Sequence, residues 1–137
     1  MTSSYTGGCA CGAIRYEINA EPFIGVECHC TDCRKESGNG HASHWVFPRA
    51  AARIEGIAGE WSMTADSGNV KTRAFCPSCG IPVYMTFAAN PAAISVRAGT
   101  LDDPSRYKPN VRTYTSRALA WDRVDPNLPN FEEMPPR

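Results

Sequence analysis

Seven cysteines fall in three tight groups along a chain of 137 residues. They are Cys9 and Cys11 in CAC, Cys28, Cys30 and Cys33 in CHCTDC, and Cys76 and Cys79 in CPSC. C-x-C and C-x-x-C groups present several thiolates to one ion, and thiolates suit zinc. An odd count cannot pair off completely into disulfides, and tight clusters are the wrong spacing for scattered staples. The chemistry these residues point to is metal binding.

CPSCG reads as a zinc-knuckle turn, with Gly80 letting the backbone swing away after the second thiolate. It supplies two of four ligands. In an extended segment side chains two apart share a face, so Cys9 and Cys11 are expected to converge and complete a closed four-cysteine site. By the same rule Cys28 and Cys30 share a face, and Cys33 can return on the following turn. A structural zinc is closed by four protein ligands, whereas a catalytic one keeps a position open. Seven thus divides into four plus three. The competing partition joins CPSC to two of Cys28, Cys30 and Cys33 and leaves Cys9 and Cys11 free; spacing alone leaves both open. A histidine closing the tripod is a further alternative. His29 should point away from its cysteine neighbours, while His41 and His44 could fold back. Each reads first as a solvated or hydrogen-bonded residue.

The elements that must position these groups are short. AIRYEI alternates with period two, as a half-buried strand does. FIGVEC, SHWVF, ARIEGI, VKTRAF, IPVYMTF and AISVRAG are strand-like runs bounded by Gly, Pro, Asn or Ser. This spacing predicts a mainly β chain, organised as one domain over residues 1–137. Helix is minor. Thr31 or Asp32 is expected to cap a turn through CRKES that ends at Gly38. Asp103 is expected to cap a second turn, with Pro104 at its first position. The proline-rich tail DRVDPNLPNFEEMPPR is expected to be irregular and pinned by Leu128 and Phe131.

Lys and Arg together balance Asp and Glu at 14 each, for a formal net charge of zero. That balance, without a basic run, argues against nucleic acid as the main partner. No stretch approaches the roughly 18 apolar residues of a membrane span, so no membrane partner is expected. The opening MTSSYTGGCACG has neither a basic n-region nor an apolar h-region, which makes the cytoplasm the expected compartment.

The motifs GGCACGAIRYEI, CHCTDCRKESG, RAFCPSCGIPVY, SVRAGTLDD and TSRALAWDRVDPNLPNFEEMP, in this order, resemble the glutathione-dependent formaldehyde-activating enzyme family, whose domain is shared with centromere protein V. The resemblance implies a β-tent fold of short antiparallel sheets. It implies two zinc ions per chain: a structural one on Cys9, Cys11, Cys76 and Cys79, and a catalytic one on Cys28, Cys30 and Cys33, where a thiol is handled. The family reaction joins glutathione and formaldehyde to S-hydroxymethylglutathione, a carbon–sulfur lyase reaction in the reverse sense. One departure is that YKPNVRTYTSR places Arg112 or a neighbour about where family members often carry a histidine.

The expected function is therefore a zinc-dependent, carbon–sulfur lyase-like activity on glutathione or a related thiol and a small aldehyde. The alternative is a non-catalytic thiol carrier or sensor with the same two zinc sites. Glutathione carries two carboxylates, so Arg34 and Lys35, beside the tripod in sequence, are candidate substrate contacts, as is His44. His29, His41, His44 and Asp32 are candidate proton carriers. Trp45, Trp61 and Trp121 read as core or rim aromatics, and Arg73 and Arg117 as surface ion pairs.

Overall fold

A computed structural model describes residues 4–136. Three strands, β1 (Tyr5–Gly8), β2 (Arg15–Ile18) and β5 (Ala52–Glu55), form a small antiparallel sheet in the order β1-β2-β5. The larger sheet holds β3 (Ile24–Cys28), β4 (Ala42–Pro48), β6 (Gly59–Thr64), β7 (Val70–Phe75), β8 (Pro82–Phe87), β9 (Ala93–Arg97) and β10 (Val111–Thr113). Its order is β10-β3-β4-β9-β8-β7-β6, antiparallel throughout except for the parallel β10–β3 pair. One α-helix, α1 (Thr31–Ser37), connects β3 to β4. The mainly β expectation is met.

Alternation explains the outer strands and burial the central ones. In β2, Tyr16 and Ile18 are buried while Arg15 and Glu17 are half-buried. In β9 every residue from Ala93 to Val96 is buried, as befits a strand flanked on both sides. The main core gathers Ile14, Ile18, Phe47, Val83, Ile94 and Val96 between the sheets. Trp45 is a core residue, with its ring 4.9 Å from Tyr5 and 5.6 Å from Tyr107 in edge contacts. Trp61 and Trp121 are exposed.

The helix differs from expectation at its start. Its N-cap is Cys30, not Thr31 or Asp32, with the Cys33 N–H donating to Cys30 Sγ at 3.3 Å. Cys30 has an extended backbone, so its sulfur can turn back onto the first helical N–H groups as a serine oxygen would. The helix ends as expected at Gly38, whose φ of 72° is easily borne by glycine. Asp103 caps the turn at Pro104–Arg106 with its carboxylate accepting from the Ser105 N–H. The tail is largely irregular and tied down. Phe131 N–H donates to the Arg112 carbonyl at 3.0 Å, Arg112 N–H donates to Pro129 at 2.8 Å, and Leu128 and Phe131 are half-buried.

Candidate metal and substrate site

The seven cysteines separate into two groups in space. Cys9, Cys11, Cys76 and Cys79 bring their sulfurs within 4.8 Å of one another, and so do Cys28, Cys30 and Cys33. The four-plus-three division is the one the fold builds, and the competing partition is not.

The four-cysteine group is made by two turns. Cys9 and Cys11 follow β1, and Cys76 and Cys79 join β7 to β8. The first pair lies on a turn and not on the extended segment expected from its spacing. The two turns repeat one pattern. Cys9 N–H bonds to the Ile14 carbonyl at 3.1 Å, and Cys76 N–H bonds to the Ile81 carbonyl at 3.0 Å. Backbone N–H groups point at the sulfurs: Ile14 at Cys9, and Ser78 and Cys79 at Cys76. The Ile14 donor holds the Cys9 thiol below its usual range, as a hydrogen bond to the charged form does. Cys9 to Cys11 is 3.7 Å and Cys11 to Cys76 is 3.6 Å between sulfurs. Zn–S bonds of about 2.3 Å in a tetrahedron set sulfurs about 3.8 Å apart, so the donor set fits a shared zinc. The group ties β1 of the small sheet to β7 and β8 of the large one.

The tripod sits where β3 meets α1. Cys28 ends the strand, Cys30 caps the helix and Cys33 lies in its first turn. All three are buried. Three thiols this close resist ionising together. Sharing hydrogen bonds with Cys28 and Cys33 pushes Cys30 down, while its contacts with Cys28 and Cys30 push Cys33 up. A divalent cation relieves that competition, so this donor set also fits a metal.

His44 supports the tripod without joining it. It is buried on β4, and its Nε2 lies 3.3 Å from Cys33 Sγ. Burial, and then the charge of Lys71, hold its pKa down to about 4, so the ring is neutral. Arg97, which can only donate, places Nη1 3.0 Å from Nδ1 and 3.1 Å from Nε2, and Ser95 Oγ lies 3.3 Å from Nδ1. Arg97 in turn pairs with Glu36, which also pairs with Arg73. Arg73 is therefore a buried network residue and not a surface ion pair, whereas Arg117 pairs with Asp66 at the surface.

A second polar cluster backs the site. His29 is 1% exposed and points away from the tripod, with Arg112 Nε donating to its Nε2 at 3.3 Å. Its Nδ1 lies 3.5 Å from Asp122 Oδ2. His41 has a carboxylate at each ring nitrogen: Asp122 at 2.7 Å from Nδ1 and Glu27 at 3.2 Å from Nε2. Those two partners, Glu27 first, raise its pKa to about 9. Gly40 permits the approach, since a Cβ there would sit 2.4 Å from Asp122 Cβ. None of this cluster was singled out as a unit in the sequence, and Asp122 carried no signal at all.

A cavity of about 570 Å³ opens beside the tripod. Cys28, Cys30, Cys33, Asp32, His44 and Lys71 are among its lining residues; Arg34 and Lys35 are not. Arg34 is half-buried and Lys35 exposed on α1. Tyr114 also lines the cavity, held at a φ of 54° that is uncommon for a residue with a side chain. Lys71, a buried residue of β7, was not among the candidate contacts.

Fold and site together define a mainly β protein with one four-cysteine cluster and one three-cysteine cluster on a cavity. A family model for the glutathione-dependent formaldehyde-activating enzyme matches residues 4–117, and the chain belongs to that family. Among solved structures, the crystal structure of a Rhodobacter sphaeroides protein is similar in fold. It has a TM-score of 0.57 and 22% identity, over 76% of this chain and 91% of that one.

Proposed function

We propose that this protein is a zinc-dependent carbon–sulfur lyase-like enzyme. It would act on glutathione or a related thiol and a small aldehyde, as an S-hydroxymethylglutathione synthase does. The observation that carries this reading is that the three-cysteine cluster lines the cavity, while none of the other four cysteines does. Cys9, Cys11, Cys76 and Cys79 would hold the structural zinc, and Cys28, Cys30 and Cys33 the reactive one. Zinc bound to three protein sulfurs supplies a position at which an incoming thiol is held as thiolate.

The rest is work for the chain. His44 orients Cys33 through its Nε2 contact with the sulfur, and Arg97, close to both ring nitrogens, fixes His44. The apolar wall of the cavity limits water around the reacting carbonyl. Asp32, half-buried and lining the cavity, is the candidate to move the proton. His29 and His41 lie behind the tripod and are engaged with Arg112, Asp122 and Glu27.

The test is consumption of free thiol with a panel of thiols and small aldehydes, with and without zinc-loaded protein. Acceleration above the uncatalysed reaction is expected for at least one pair. A protein that binds thiols and accelerates none of the pairs would be a carrier or sensor instead.

A further inference from the structure

We propose that the cavity beside the tripod selects a thiol with an apolar body and a single anionic group, the anion being held by the Lys71 ammonium. The proposal rests on the function proposed above and names the substrate class of that site.

Two observations carry it. The first is the wall. Ile24, Val26, Val46, Met85, Phe87 and Val111, drawn from β3, β4, β8 and β10, line the space. About 570 Å³ is the size of a pocket for a drug-sized ligand and far exceeds what a one-carbon aldehyde needs. Ser67, Asn69, Asn90, Ser95 and Thr113 also line the space, but apolar surface predominates, and it gains more by covering methylene groups than peptide amides.

The second is the charge inventory. Among the described residues, the charged lining side chains are Asp32, Asp66 and Lys71. Asp66 is taken by Arg117. Lys71 is 8% exposed, and its ammonium makes no ion pair or hydrogen bond with a described side chain. It lines the same cavity as Cys30 and His44. The tripod sulfurs balance its charge in part, but no described carboxylate pairs with it, so its ammonium donors can hold an anion carried by the incoming thiol. Glutathione brings two carboxylates to this single lysine. Arg73 and Arg97 cannot serve the second, because both are committed to Glu36 and neither lines the cavity. Asp32 would repel it.

The test is calorimetric binding of three thiols to zinc-loaded full-length protein: mercaptohexanoate, mercaptohexanol and glutathione. Mercaptohexanoate is expected to bind about tenfold or more tighter than glutathione, since burying even two methylenes is worth about that factor. Lys71→Met is expected to bring mercaptohexanoate down to the level of mercaptohexanol and leave mercaptohexanol unchanged. Lys71→Arg should keep the preference. Glutathione binding as tightly as mercaptohexanoate, or a Lys71→Met variant that still prefers the acid over the alcohol, overturns the proposal. Should Lys71→Met fail to fold, the wild-type comparison of acid with alcohol decides the role of the anion. Tight, selective binding of mercaptohexanoate without aldehyde-dependent consumption removes the catalytic reading and leaves the substrate class standing. Turnover of glutathione with weak mercaptohexanoate binding does the reverse.

Discussion

The Cys33 sulfur is held between the other two tripod thiols and the Nε2 of His44. A hydrogen bond to a ligating sulfur orients it and tunes its basicity, and loss of such a partner typically costs 10- to 100-fold in metal affinity. His44→Ala is therefore expected to weaken zinc at the tripod by about that factor. Competition with a chromogenic chelator measures it, and an unchanged affinity would show that His44 only fills space. The cysteines themselves separate two roles. Cys30→Ser should lose the tripod's zinc and remain folded. Cys79→Ser should lose the other zinc together with most of the folding stability, because it opens a cluster that joins two sheets. Zinc content and thermal melts on both variants check this; equal destabilisation by the two would erase the division of labour. Residue types and spacing were enough to sort the seven cysteines into the two groups that the fold brings together. They were not enough to find Lys71, an ordinary polar position in an alternating strand until the larger sheet brings it beside Cys30.

At the scale of elements, Asp122 clasps the tail onto the back of the β3–α1 junction through His41. The His41 pKa is raised from 6.5 to about 9 by Glu27 and Asp122, so the folded state binds its proton more tightly than the unfolded chain does. That contribution is fully present below pH 6.5 and is lost as pH rises through about 9. Wild type should therefore melt at progressively lower temperature between pH 7 and pH 10, and by more than His41→Phe does over the same range. Parallel curves for the two proteins would remove His41 as the titrating group. The elements were unevenly legible. The strands β2, β3, β4, β5, β7, β8 and β9 announced themselves through alternation or apolar runs. β1 did not, because Gly7 and Gly8 have weak strand preference, and β6 did not, because as an edge strand it is mostly exposed. β10 has only three residues and is a strand by virtue of pairing with β3. Cys9 and Cys11 reached the right partners by a different route from the one spacing suggested: a turn whose backbone N–H groups face the sulfur replaces the shared face of a strand.

For the molecule as a whole, two zinc ions per chain are expected, with unequal hold. The four-cysteine set would close around an ion and links β1 to β7 and β8, so losing an ion there is expected to loosen the join between the sheets. The tripod offers three ligands and an adjoining cavity. Titration with chelator should remove one equivalent of zinc first, with the melting temperature nearly unchanged, and the second only with cooperative unfolding. Simultaneous release would contradict that order. Long-range placement explains what the sequence left hidden here, since the cavity draws its walls from distant segments that only the sheet order assembles. The tail has a consequence of another kind. The family match ends at residue 117, yet Met134 and Pro135 contribute to the cavity wall and Asp122 braces the tripod from behind. A substitution in the last stretch of chain would therefore reshape what the pocket admits without touching any of the seven sulfurs.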